Sequence, residues 1–307
     1  MMRFLLRRFP WKSIKRVKPK TLITTASLWL ILSNCTPSTP PQSSDLGNTP
    51  SPIADARQRP SDSPTLWSDG FAQTNWREAW NIRSYGSWGL DEVEVIADPS
   101  GKFSRIMRVR YPEGSASPSV SRSQGVALGG TQFYADLGLP PRDALHLSYY
   151  VRFSDDFDFV KGGKLPGLFG GKSVSGGNIP DGTDGFSTRF MWRRQGDGEV
   201  YAYLPTSENY GTSIGRGAWQ FQPGTWYHVE QEVVLNQPDQ KDGQIRVWID
   251  GKKVLDRDGL QFRTTDKLKI EGIFFSTFFG GGDPSWSTPK DVYADFAQFS
   301  VSPVQTE

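Results

Sequence analysis

From about Leu66 to Val301, short runs alternate apolar and polar positions and are separated by Gly, Pro, Asp and Asn. The clearest sets Leu145, Leu147, Tyr149, Val151 and Phe153 against His146, Ser148, Tyr150 and Arg152. A period of two marks a half-buried strand. Ile245–Ile249 and Lys252–Leu255 flank Asp250-Gly251 and predict a hairpin, because both turn residues then take positive φ. Further strands are expected over Ser104–Tyr111, Tyr227–Leu235, Leu268–Phe279 and Val292–Val301. No long stretch carries the three-to-four-residue apolar spacing of a helix bundle. The 13% aromatic content and 32 glycines fit the same picture. The expected fold is all-β, a sandwich or jelly roll in one domain over residues 66–304.

The N-terminal fifth of the chain differs. Residues 1–20 hold eight basic side chains and no acid, and residues 21–34 are uncharged and mostly apolar. That apolar run is shorter than the roughly 20 residues of a spanning helix. It has the layout of a signal peptide. It ends at Leu32-Ser33-Asn34-Cys35, which resembles a lipobox, so residues 1–35 are expected to be a lipoprotein-type signal with Cys35 as the lipidation site. The alternative is an uncleaved signal anchor. Either places the domain in the cell envelope or secretes it. Residues 36–65 are rich in Pro, Ser, Thr and Asp, too poor in large apolar groups to offset the entropy of ordering, and read as a tether.

Charge sharpens the functional reading. The formal net charge is +2, but the basic leader accounts for it, and the remainder carries 27 basic against 33 acidic groups. A nucleic-acid partner, which needs a broad basic surface, is not expected. Any polyanion would have to meet a local cluster of cations. Cys35 is the only cysteine, which excludes an intrachain disulfide, and the two histidines, His146 and His228, lack zinc-site spacing. No metal or other cofactor is expected.

Residues 185–205 supply such a cluster. A Gly196-Asp197-Gly198 loop predicts a hairpin in which odd-numbered residues of both strands share one face. The even face (Phe186, Thr188, Phe190, Trp192, Val200, Ala202, Leu204) is core. The odd face carries Ser187, Arg189, Met191, Arg193, Glu199, Tyr201 and Tyr203, with neighbours about 5 to 8 Å apart. By itself this also describes an ordinary solvated sheet face. It suits elimination from a uronate, where a base removes the proton beside a carboxylate that a cation neutralises. Lowering a tyrosine pKa from about 10 by two units needs roughly 2.7 kcal/mol. A guanidinium about 4 Å away supplies up to about 4 kcal/mol at an effective dielectric of 20.

At this hairpin the sequence resembles polysaccharide lyase family 14. The likeness extends from Val151 to Val301 and rests on Lys164-Leu-Pro-Gly-Leu-Phe-Gly-Gly, Phe186-Ser-Thr-Arg-Phe-Met-Trp-Arg, Glu199-Val-Tyr-Ala-Tyr-Leu-Pro and Gly224-Thr-Trp-Tyr-His-Val-Glu-Gln. It continues through Phe274-Phe-Ser-Thr-Phe-Phe-Gly-Gly-Gly-Asp-Pro-Ser-Trp and Tyr293-Ala-Asp-Phe. The resemblance implies a jelly-roll β-sandwich of two antiparallel sheets with a concave substrate cleft. It also implies metal-independent lysis of alginate- or glucuronan-type chains by Lys164, Ser187, Arg189, Tyr201 and Tyr203. Tyr201 or Tyr203 would be the base, Arg189 and Lys164 would neutralise the carboxylate, and Ser187 would orient the sugar. Arg193 and Trp286 are expected to touch substrate, the latter by stacking. His228 and Gln231 fall on opposite faces of one strand and are left out of the site. A monomer is expected, with an anionic polysaccharide and, through the lipid anchor, a membrane as partners. Two other classes fit the fold: a non-catalytic laminin-G-like carbohydrate-binding module, and a glycoside hydrolase, whose paired carboxyl pattern is absent.

Overall fold

Strand alternation is written directly into the burial of each element in the computed structural model, which describes residues 64–304 except Thr74 and Ser173. The leader, Cys35 and the tether as far as residue 63 lie outside the described residues. In β11 (Gly243–Ile249), Ile245, Val247 and Ile249 are buried and the residues between them are not. β11 lies between β12 (Lys252–Leu260) and β10 (Trp226–Val234), and β10 pairs with β5 (Ala144–Phe153). The same sheet continues through β14 (Val292–Ser302), β3 (Arg105–Tyr111) and β2 (Val93–Ala97), with β1 (Trp67–Asp69) beside the far end of β14. A second sheet orders β4 (Thr131–Ala135), β13 (Gly272–Thr277), β6 (Gly162–Gly171), β7 (Gly185–Arg193), β8 (Gly198–Tyr203) and β9 (Thr212–Ile214). All pairings are antiparallel, and the chain crosses repeatedly between sheets, as a jelly-roll sandwich does.

The core is the aromatic layer between them. Phe153 of β5 meets Trp192 of β7 edge-on at 5.4 Å, and Phe275 of β13 meets Phe296 of β14 at 5.1 Å. Such pairs add about 0.5–1.5 kcal/mol each to the burial of the rings themselves. Asp250 and Gly251 take φ of 50° and 77°, the left-handed pair that the hairpin required. The strand expected over Leu268–Phe279 is shorter, at Gly272–Thr277. β6 gave no alternation to read, because glycines stand where side chains would collide. A Cβ on Gly163 would come within 2.0 Å of the Trp192 ring, and one on Gly167 within 2.1 Å of the Thr188 carbonyl.

The β7–β8 hairpin corrects the expected loop. Pairing stops at Trp192↔Gly198, and the amide of Arg193 donates to the Asp197 carbonyl at 2.7 Å across a turn that includes Gln195 at φ 59°. A loop at 196–198 would have set Arg193 opposite Tyr201. The longer connection keeps the same parity but slides the register, setting Arg189 opposite Tyr201 and Ser187 opposite Tyr203.

One polar side chain ties the sheets together. Gln231 of β10 is fully buried; its Nε2 donates to the Thr188 carbonyl at 2.8 Å, and its Oε1 accepts from Thr188 Oγ1 at 2.9 Å. His228 lies on the opposite face of β10, stacked on Tyr150 at 4.5 Å. Gln231→Leu strands buried donors and acceptors beside Arg189, so urea unfolding should show a loss of about 1–3 kcal/mol.

Candidate active site

The six-stranded sheet turns its even-numbered hairpin residues inward, so the odd face looks away from the core. An ordinary half-exposed sheet would leave that face solvated. Instead Ser187, Arg189, Glu199 and Tyr203 are all at most 2% exposed. Loop segments close over it: Val174 accepts from Ser187 Oγ at 3.1 Å, the Gly177 amide donates to the Tyr203 hydroxyl at 3.2 Å, and Gly211 lies against both tyrosine rings. The face is therefore largely covered, with Lys164, Arg193 and Tyr201 left partly exposed.

Arg189 sits at its centre. Nη1 donates to Ser276 Oγ of β13 at 3.0 Å, and the guanidinium lies 4.4 Å from the Phe274 ring centroid. Nε has no hydrogen-bond partner, and among the described residues no carboxylate pairs with Arg189. Burial pulls its pKa down, opposed by the phenols of Tyr134, Tyr203 and Tyr201. Arginine nonetheless stays charged. A buried charge without its opposite is normally a cost of several kcal/mol.

Lys164 of β6 reaches the same spot from the next strand. Its Nζ stands 3.6 Å from the Tyr201 ring centroid and 2.7 Å from Met191 Sδ, a weak acceptor. Burial, then the positive charges of Arg189 and Arg193, hold its pKa well below the usual lysine value despite opposition from Glu199. Tyr201 moves the other way. Burial and the neighbouring Tyr203 outweigh Arg193 and Arg189, and its pKa is pushed up to about 12. The arginines do pull this phenol toward acidity, as expected, but desolvation is the larger effect and the net direction is upward.

The remaining expected residues divide. Arg193 lies 5.5 Å from the Tyr201 ring centroid but is committed to Glu199, with Nε 2.7 Å from Oε1. Glu199 also accepts from Arg216 Nε at 2.7 Å and from Ser213, and these partners overcome burial to keep its pKa below the ordinary glutamate value. Ser187 is within the cleft, but its hydroxyl holds the Val174 carbonyl. The Trp286 ring packs on Gly281, with Lys161 Nζ 5.9 Å from its centroid just before β6. Sequence reading overlooked Ser276, which steadies Arg189, and Gln132, which accepts from Ser276 at 3.3 Å. Both come from strands far away in the chain, and no local pattern announces them. Arg216 was missed as well. Glu199 was visible on the odd face but received no role.

Together Arg189, Arg193 and Arg216 set three guanidiniums, with the Lys164 amine among them, against the carboxylate of Glu199. The arrangement can receive an anionic ligand and offers an amine and a phenol for proton transfer beside it.

Comparison with known proteins agrees with this geometry. The family model described as polysaccharide lyase 14 matches residues 99–299. The marine PL-14 alginate lyase from Aplysia kurodai is 33% identical, with 79% of this chain and 100% of that chain covered and a TM-score of 0.68. Alginate lyase vAL-1 from Chlorella virus is 25% identical, with 74% of this chain and 94% of that chain covered and a TM-score of 0.62. The endo-β-1,4-glucuronan lyase of the fungus Trichoderma reesei shares the fold at 12% identity, with 78% and 96% covered and a TM-score of 0.53. No curated relative matches by sequence. The chain belongs to polysaccharide lyase family 14 and is a polysaccharide lyase.

Proposed function

We propose that the protein cleaves a uronate-containing polysaccharide of the alginate or glucuronan type by β-elimination outside the cytoplasm. The observation that carries this reading is Arg189, a buried cation with an unpartnered Nε and no carboxylate of its own. A uronate carboxylate supplies the missing charge. Once it is neutralised, the proton on the adjacent ring carbon, C5, becomes removable.

Two groups are placed to move protons. Ionising a phenol with a pKa near 12 at pH 7 costs on the order of 7 kcal/mol, at 1.36 per unit. Tyr201 is therefore the acid. Lys164, whose amine sheds its proton far more readily than an ordinary lysine, is the base. Its nitrogen takes the C5 proton, the electron pair forms the C4–C5 double bond, and the C4–O bond breaks. Tyr201 donates its proton to the departing oxygen. Tyr203, engaged by the Gly177 amide, holds the Tyr201 ring in its edge-on contact at 5.7 Å. This exchanges the roles expected from the sequence, where a tyrosine was the base and Lys164 a neutralising charge. A retaining hydrolase would need a second carboxyl about 5 Å from the first. Glu199, the carboxylate beside Tyr201, is spent on two arginines.

The basic leader, the apolar run and Cys35 support export and lipid anchoring. Cys35→Ser should shift the enzyme from the membrane to the soluble fraction of cells producing it, and unchanged membrane retention would reject the anchor.

Incubation with alginate or polyglucuronate should produce ultraviolet-absorbing unsaturated ends. Tyr201→Phe and Lys164→Arg should each lower kcat by about a hundredfold or more, with unchanged circular dichroism. Lys164→Arg is the sharper variant, since it keeps the charge but cannot accept a proton; near-normal turnover would return Lys164 to a neutralising role. The pH profile follows from the same assignment. Activity needs Lys164 neutral and Tyr201 protonated, so kcat should rise with pH through a pKa below the ordinary lysine range and fall only as pH approaches that of Tyr201.

A further inference from the structure

Glu199 is completely buried, yet it stands on the cleft floor rather than in the core. Its contacts come from three separate elements. Arg193, at the end of β7, donates to Oε1; Ser213 of β9 and Arg216, in the turn after β9, donate to Oε2. Both oxygens are engaged, so the carboxylate has little left with which to meet a ligand. Its work is done on the arginines.

Arg193 is the more enclosed of the two, with a side chain 14% exposed, whereas that of Arg216 is 52% exposed. Arg216 uses Nε for Glu199, and among the described residues its terminal nitrogens have no partner. A long surface arginine ordinarily samples many rotamers, and holding it in one costs side-chain entropy. A buried carboxylate that fixes Nε removes that freedom before any ligand arrives. The fixed guanidinium lies on the β9 edge of the cleft, where Ser213 pairs with Tyr201. Arg189 is two strands away on β7, and neighbouring strands are about 4.8 Å apart. That separation is on the scale of one or two sugar rings.

We propose that Glu199 is a positioning residue that aims Arg216 at the carboxylate of a uronate bound beside the one being cleaved, on the β9 side of the cleft. The inference rests on the uronan-lyase reading and extends it to a second carboxylate. It also implies a preference for chains whose neighbouring residues are both charged, since a neutral sugar at that position leaves the Arg216 nitrogens unused.

Steady-state kinetics on alginate and polyglucuronate test it, comparing the wild type with Arg216→Gln, Arg216→Lys and Glu199→Gln. Arg216 is on an exposed turn, so its variants are the ones whose folding is safest; circular dichroism checks each. Arg216→Gln should raise KM by about tenfold, the loss of one charge-assisted contact, with a smaller change in kcat and a weaker dependence of KM on salt. Arg216→Lys should restore part of the loss. Glu199→Gln should raise KM in the same direction but no further, because it releases the arginine without deleting it. Wild-type KM in Arg216→Gln, with unsaturated product still forming, would overturn this inference and leave the lyase reading intact. Absence of unsaturated product from the wild type on every uronan would overturn both.

Discussion

A guanidinium buried without a carboxylate is the constraint around which the concave side of this sandwich is arranged. Arg189 is enclosed by Ser276, Phe274 and the tyrosines of β8, groups that shape its pocket but leave its charge unanswered. In an ordinary protein interior an acid would lie beside it. The aromatic core between the sheets supplies the stability that such an arrangement requires, and the rigid ladder of β6, β7 and β8 prevents the pocket from relaxing around the charge. The fold therefore leaves a positive charge without an internal carboxylate among the described residues, and a carboxylate-bearing sugar is the ligand chemistry we propose for it.

The same crowding of cations decides which neighbour gives up a proton. Lys164 feels desolvation and two arginines acting in one direction, so its amine is pushed toward neutrality. Tyr201 feels desolvation and Tyr203 against the arginines, and desolvation is the larger. Positive charge close to a phenol does not by itself make the phenol acidic; what matters is whether its field exceeds the loss of water. Here the two groups in contact are driven apart, one toward proton acceptor and the other toward proton donor. Glu199 moderates the cluster by holding two of its cations in place.

Much of this was legible in the chain because strand parity survives errors of register. The odd residues of 185–205 share one face whether the loop has three residues or five, so Ser187, Arg189, Tyr201 and Tyr203 were grouped correctly. The register was not legible, since Gly196-Asp197-Gly198 looks like a turn in its own right while the real closure sits earlier, at Trp192↔Gly198. Nor was burial: loops far from the hairpin wall off its outer face, and alternation says nothing about what covers a sheet. β6 escaped for a related reason, its glycines being required by contacts with Trp192 and the β7 backbone rather than by local conformation. Trp286 lies past the glycines that follow Thr277, and its neighbour Lys161, just before β6, is met only in the folded chain.

The most direct measurement is urea unfolding of the wild type and Arg189→Met, each with and without a saturated uronate trisaccharide. If the guanidinium is held for substrate, the variant should be at least as stable as the unliganded wild type, because an uncompensated buried charge has been replaced by apolar volume, and the trisaccharide should stabilise only the wild type. A variant several kcal/mol less stable, or one stabilised by the sugar as much as the wild type, would show that Arg189 serves the fold and not the ligand.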